Sequence, residues 1–284
     1  MQEIISYVSK FKSYLLKLGY GKSTCYMLPG CVKDFLSYQK IKELKTINKN
    51  HIQSFYEHLQ ERPHKKKPGG LSERYIYHHM YGIKLFLAWL EEIGEIKENP
   101  ISTMAFKKPF SKPREPLSKE ETAKLFASCT SLKETVILHL FYSCGLRKSE
   151  GEALNASDIH FKEKLLYVRE GKNNKRRAIP MTEKVKSALE SYIVNERKTK
   201  EENAFILNKT GTRMKGESFN KTLKSILKKA GIEKETSLHH LRHSIATHLL
   251  ESGLSIERVR DFLGHKHLES TQIYAKVNLK RHGL

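Results

Sequence analysis

This sequence predicts a mostly α-helical protein of two domains, the second carrying a small β-sheet, and three observations support that prediction. Apolar residues recur at helical spacing through most of the chain. A stretch containing Pro100, Pro109, Pro113 and Pro116 interrupts that pattern. One β-like hairpin, "KLLYVREGKNNKRRAIPM", stands among the helices. At 284 residues the chain suits two cores, given about 100 to 200 residues per domain.

In chain order, "IISYVSKFKSYLLKLG" spaces its apolar residues at helical intervals and stops at Gly19. "KSTCYMLPGCVKDFLSYQK" begins a second helix after Ser23 or Thr24, with Pro29 as a kink. "INKNHIQSFYEHLQER" gives a third, opened by Asn48 or Asn50. "LSERYIYHHMYGIKLFLAWLEEIG" gives a fourth, with Ser72 near its start and Gly94 as its stop. These helices make a four-helix domain over residues 1–98, and the proline-broken stretch 99–117 is a linker. Ser118 with Glu121 forms a capping-box signature that opens the second domain, 118–284. There the expected order begins with a short helix and a longer one through "SLKETVILHLFYSCGLRKSEGEAL". The hairpin follows, then one further strand in "FILNKTGTRMK" and helices broken at Gly231, Gly253 and Gly264. "HKKKPGG", residues 64–70, reads as a solvated basic loop.

No apolar run approaches the roughly 20 residues of a membrane span, and the N-terminus lacks the pattern of a secretory signal, so a cytoplasmic location is expected. Cys25, Cys31, Cys129 and Cys144 form no CxxC pair and read as reduced packing residues. Against 52 Lys and Arg stand 31 Asp and Glu, a formal charge of +21. Residues 1–112 hold 19 basic and 10 acidic side chains, a net +9, which leaves +12 for the remainder. Two basic globular halves suit a protein that grips a phosphate backbone from two sides. A lysine-rich background composition is the plainer source of the same excess.

Four stretches could carry chemistry. In "SLHHLRHSIATHLLESG", residues 237–253, Ser237 is the N-cap and Leu238, Leu241, Ile245 and Leu249 form the buried stripe. His239 and Arg242, three apart, share a face bordering that stripe, and His240 and His243 turn outward. Arg242 either snorkels to a carboxylate or offers a planar fork to a phosphate. "FYSCGLRKSEGEALNASDI" supplies Arg147 at a glycine-marked helix junction, and two arginines can clamp both non-bridging oxygens of one phosphate. Lys172, at the hairpin tip, could protonate a leaving oxygen, with Lys175 and Arg176 as competitors and a solvated turn as the plain alternative. "LGHKHLESTQIYAKV" places His265 after Gly264 and Tyr274 on a short helix capped by Ser270. A phenol attacks phosphorus only with cationic neighbours or a general base, and otherwise Tyr274 is a packing residue.

The order Arg147, Lys172, "HHLR" (239–242), "LGH" (263–265) and Tyr274 resembles the tyrosine recombinase family, the phage-integrase and Xer-like site-specific recombinases. The likeness spans nearly the whole chain, and "GYGKSTCYMLPGCVKDFLSYQ" to "IKENP" is similar to the family's helical core-binding, SAM-like domain. The resemblance implies a two-domain clamp around double-stranded DNA, with an N-terminal core-binding domain and a C-terminal tyrosine-recombinase catalytic domain. It implies that Arg147 and Arg242 bind the scissile phosphate and that Lys172 protonates the leaving 5′-oxygen. His239 and His265 would orient and stabilise the phosphate, with His239 also a candidate base. Tyr274 would be the nucleophile, leaving a 3′-phosphotyrosyl bond, and Glu150 would support the first arginine. Because the phosphotyrosyl ester retains the bond energy, neither ATP, metal nor other cofactor is implied. A homotetramer on two DNA sites would exchange strands through a Holliday junction, alone or with a related recombinase or accessory protein. The biological use would be integration, excision, inversion or dimer resolution.

Ten residues follow Tyr274, fewer than the segment with which family members commonly dock onto a neighbouring subunit. The resemblance therefore leaves open how protomers join and whether cleavage acts in the tyrosine's own subunit. No extra N-terminal arm-binding domain is evident, so a simpler core-site enzyme is expected. Three other readings compete: a type IB topoisomerase-like relaxing enzyme, a non-catalytic DNA-binding regulator of the same fold, and a metal site. The last would draw on His239, His240, His243, His248, His265 and His267, of which only His239 and His243 are attractively spaced.

Overall fold

A computed structural model of the chain describes residues 2–64, 68–110, 115–169, 177–197 and 202–264, with side chains from residue 6 onward. Lys172, Lys175, Arg176, His265, His267 and Tyr274 lie outside the described residues. The chain divides into two compact units, Met1–Lys112 and Pro113–Leu284.

The first unit holds helices α1 (Gln2–Lys17), α2 (Lys22–Tyr38), α3 (Lys49–Glu61) and α4 (Glu73–Glu92). Local chemistry sets most of their ends. Asn48 caps α3 by accepting from His51 N, Ser72 caps α4 by accepting from Tyr75 N, and Gly94 follows α4 with φ of 76°. The start of α2 departs from expectation: Gly21 is the N-cap, so Ser23 and Thr24 lie inside the helix, which also continues through Pro29. The apolar faces meet in one core around Phe11, Leu28, Val32, Phe35, Phe55, Ile83 and Phe86. Gly82 lets α2 and α4 cross closely, since a Cβ there would lie 3.3 Å from the Leu28 carbonyl oxygen.

In the second unit α5 (Lys119–Ala127) opens with the Ser118–Glu121 capping box, as its sequence predicts. The long helix expected across residues 131–154 is instead interrupted. α6 (Leu132–Leu138) passes into a π-helical turn, His139–Ser143, and the chain then breaks before α7 (Lys148–Ala153). The cause is Gly145, whose left-handed φ of 57° helical residues do not adopt. The break places Arg147 at the N-cap of α7.

Next comes a three-stranded antiparallel sheet, β1 (Ile159–His160), β2 (Leu165–Val168) and β3 (Arg177–Pro180), in the order β1-β2-β3. Leu166 pairs with Ile179, and both are fully buried. The two-residue β1 is too short to show a period of two. The strand expected in "FILNKTGTRMK" does not form. Asn208 Oδ1 accepts from the amides of Thr210 and Thr212, so the segment closes as a tight turn with a single bridge, Leu207 to Arg213.

Helices α8 (Glu183–Asn195), α9 (Gly216–Lys229), α10 (Leu238–Glu251) and α11 (Ile256–Leu263) complete the described chain. Gly231, Gly253 and Gly264, the expected breaks, all have positive φ. α10 is buried on more than one side: Leu241 to Ser244 and Ala246 to Thr247 to His248 are all buried, whereas Ile245 and Leu249 are half-buried. His243 therefore points inward, contrary to its expected outward turn, because a helix packed on several faces does not follow an amphipathic period. Among the described residues no helix is long and apolar enough to cross a membrane.

Candidate active site

The break at Gly145, the start of β3, the middle of α10 and the end of α11 converge on one buried carboxylate, Glu150. Arg147 reaches Glu150 twice, through its backbone N–H to Oε2 at 2.8 Å and through Nη1 to Oε1 at 2.6 Å. Arg177 forks onto both oxygens, Nη1 to Oε1 at 3.0 Å and Nη2 to Oε2 at 2.8 Å. Arg242 stands behind them, with Nη1 3.9 Å from Oε2. Burial alone would push the Glu150 carboxyl up, but hydrogen bonds and charge from Arg177, joined by Arg147, bring it down to about 2. The carboxylate is thus ionised at neutral pH, and three permanent cations against one anion leave the cluster net positive.

The same three guanidinium groups hold the C-terminal end of α11. Arg177 Nε donates to the Phe262 carbonyl at 3.2 Å, Arg242 Nη2 donates to that of Leu263, and Arg147 Nη2 donates to that of Gly264 at 2.9 Å. These carbonyls belong to the negative end of a helix, where cations are favourable. Arg242 Nη1 also donates to the Gly145 carbonyl, so the backbone break before α7 is itself a ligand of Arg242. At 1% exposure Arg242 is among the largest fully buried side chains of the described residues, and its carbonyl partners explain how a permanent charge is tolerated there.

His239 sits on the first turn of α10, exposed, three residues before Arg242. His240 closes the helix start: the Ser237 amide donates to its Nδ1 at 3.0 Å. Farther along α10, Ser244 Oγ accepts from Leu117 N at 2.8 Å, and His248 Nε2 lies 2.9 Å from Leu117 O. A carbonyl only accepts, so Nε2 carries the proton and Nδ1 accepts from the Tyr142 hydroxyl at 2.8 Å. The helix that carries Arg242 is thereby fastened to the chain entering the second unit.

The structure brings together Arg147, Glu150 and Arg242, and sets His239 on the helix of Arg242. Arg177 was not singled out from the sequence. A signal was present: Arg177 and Ile179 share strand parity, so a residue two before a core position faces inward and needs an anion. Among the described residues no group of three or more His, Cys, Asp or Glu could hold a metal ion. The four cysteines are free thiols, with Cys25, Cys31 and Cys144 buried.

Residues 115–281 match the phage integrase family. The chain belongs to this family of tyrosine recombinases. A tyrosine recombinase XerC of Chlamydia trachomatis is 34% identical over 217 residues, covering 74% of this chain and 69% of that relative. The XerC of Thermodesulfovibrio yellowstonii is 29% identical over 281 residues, covering 88% and 92%. Among solved structures, the Tn1549 transposon integrase, in complex with a circular intermediate DNA, superposes with a TM-score of 0.74 over 97% of this chain and 99% of its own, at 17% identity. That last likeness concerns the fold alone. The recombinase described here is accordingly an enzyme that cuts and rejoins DNA at specific sites.

Proposed function

We propose that strand cleavage takes place at the arginine cluster, with Arg147 and Arg242 holding the scissile phosphate and Tyr274 attacking it. The supporting observation is the convergence of Arg147 and Arg242, far apart in sequence, on Glu150 and on the carbonyls directly preceding His265. The Arg147 guanidinium has more N–H groups than its bonds to Glu150 and Gly264 use, so a fork fixed in place by these acceptors can present donors to a phosphate. Lys172 protonates the leaving 5′-oxygen, and His239 and His265 orient and stabilise the phosphate, His239 also taking up the phenolic proton. The Tyr274 oxygen forms a bond to phosphorus as the 5′-oxygen leaves, giving a 3′-phosphotyrosyl ester and a free 5′-hydroxyl. A second 5′-hydroxyl reverses the step on the new strand. Cationic side chains neutralise the charge of the transition state, so the reaction proceeds without ATP or metal.

In this reading residues 1–98 grip duplex DNA, 99–117 link, and 118–284 catalyse. Four protomers act on two recombination sites through a Holliday junction, in the cytoplasm. The net charge of +21 supports a polyanionic partner on both sides of the linker. Sequencing DNA ends covalently attached to the protein in cells identifies the recombination site, and a nicked suicide duplex built on it traps the adduct. Wild-type protein is expected to give the adduct in EDTA, and Tyr274→Phe to bind the duplex without forming it. An adduct that persists in Tyr274→Phe would falsify the assignment. Relaxation of site-free plasmid by monomers would favour the topoisomerase-like alternative.

A further inference from the structure

We propose that Arg177 is a positioning residue for strand cleavage: it holds Glu150, and through Glu150 the guanidinium of Arg147, while tying the end of α11 to β3. This rests on the reading of Arg147 and Tyr274 given above. Three observations support it. Each Glu150 oxygen receives one side-chain bond from Arg177, and Arg147 contributes a bond to each oxygen as well, so neither arginine satisfies the carboxylate alone. Arg177 Nε fixes the Phe262 carbonyl, in the same run of carbonyls that Arg242 and Arg147 hold. Gly264 is shaped around it, since a Cβ there would lie 2.9 Å from Arg177 Cδ.

Charge explains why a second arginine is needed. Without Arg177, Arg147 would be the one arginine within hydrogen-bond distance of Glu150 among the described residues, Arg242 standing 3.9 Å away, and the buried carboxylate would draw the Arg147 guanidinium into a closed pair and weaken its hold on a phosphate. Arg177 makes two of the four hydrogen bonds to the carboxylate and adds a further cation, so Arg147 is oriented by Glu150 without being consumed by it. Arg177 itself donates to Glu150 and Phe262 and is 10% exposed at its side chain, which makes it a support of the phosphate-binding groups.

The test uses the full-length protein on the nicked suicide duplex, with DNA binding, thermal unfolding and adduct formation measured together. Arg177→Met keeps the length of the side chain and is expected to bind DNA within about threefold of wild type while forming the adduct about a hundredfold more slowly, the scale of a misplaced catalytic group. Arg177→Lys, which retains charge but cannot fork, is expected to recover part of the rate.

A pH profile separates positioning from simple structural damage. The charged groups facing Glu150 among the described residues are Arg147 from its own helix, Arg177 from β3 and Arg242 from α10. Losing Arg177 lets Glu150 take up a proton nearer neutrality. Adduct formation by Arg177→Met should therefore acquire a second acid limb, beyond the one that His239 as base gives wild type, and Arg177→Met/Glu150→Gln should lose that second limb. Wild-type rates in Arg177→Met, equal loss of DNA binding and cleavage, or an unchanged pH profile would each overturn the proposal. If wild-type protein forms no adduct at Tyr274, the underlying reading fails first. If it does and Arg177→Met matches it, only the positioning role fails.

Discussion

Two buried ionisable groups show how single residues can be charged inside this protein. Glu150 is held ionised by three arginines. His79, 2% exposed in the first unit, presents the opposite case. Burial would push its imidazole down, but the Asp34 carboxylate at 3.3 Å, with smaller contributions from Cys31 and the Tyr75 carbonyl, lifts it to about 9. The hydrogen bond from His79 in turn takes Asp34 down to about 2, with Arg62 adding a second partner at 2.8 Å. A histidine whose folded value exceeds its unfolded one stabilises fully below the unfolded value, about 6.5, and that contribution is lost as pH rises through about 9. The protein is expected to lose on the order of a few kcal/mol across that window. His79→Gln should flatten it, as followed by urea unfolding of the first unit's Trp89 fluorescence. A variant that still loses stability over the same window would assign the effect elsewhere.

At the scale of elements, the interruption between α6 and α7 is what assembles the site. A continuous helix would satisfy the Gly145 carbonyl internally. The left-handed turn releases it to Arg242 and turns Arg147 into an N-cap facing Glu150. Phe141 of the π-helical turn packs on Gly151, where a Cβ would approach Phe141 Cζ to 2.5 Å. Both residues are buried, so the neighbouring backbone must move to accept a methyl group. Gly151→Ala is expected to lower stability by about 1 to 3 kcal/mol in thermal unfolding, and Phe141→Leu in the same chain to restore part of it. Unchanged stability in Gly151→Ala would mean that the α7 packing is looser than this contact indicates.

At the scale of the molecule, both compact units carry positive excess, +9 over residues 1–112 and +12 beyond. If that excess neutralises backbone phosphates, each contact releases a counterion, and affinity falls steeply with salt. The dissociation constant for the duplex is expected to rise by about a thousandfold or more between about 50 and 200 mM salt, measured by fluorescence anisotropy. A rise of less than about tenfold would make the charge a property of composition and solubility, not of DNA binding.

The sequence by itself determined the helical starts at Ser72 and Ser118 and narrowed another to Asn48 or Asn50, of which Asn48 is the cap, because each such start depends on a neighbour three residues away. It also determined the stops at Gly231, Gly253 and Gly264, where only a left-handed backbone fits, and marked Arg147, His239 and Arg242 as residues able to engage a phosphate. Those readings rest on short-range chemistry that a linear text contains. Tertiary structure decided much of the rest. The inward turn of His243 follows from the packing of α10 on several faces, whereas the break at Gly145 and the turn closed by Asn208 are local chemistry that the apolar periodicity masked. Arg177 is the clearest case: as a residue in a basic run it reads as solvated, and its function exists only because β3, α7 and the end of α11 meet around one carboxylate. Residue type sets which charges a chain can bring, and long-range packing sets which of them share one buried anion.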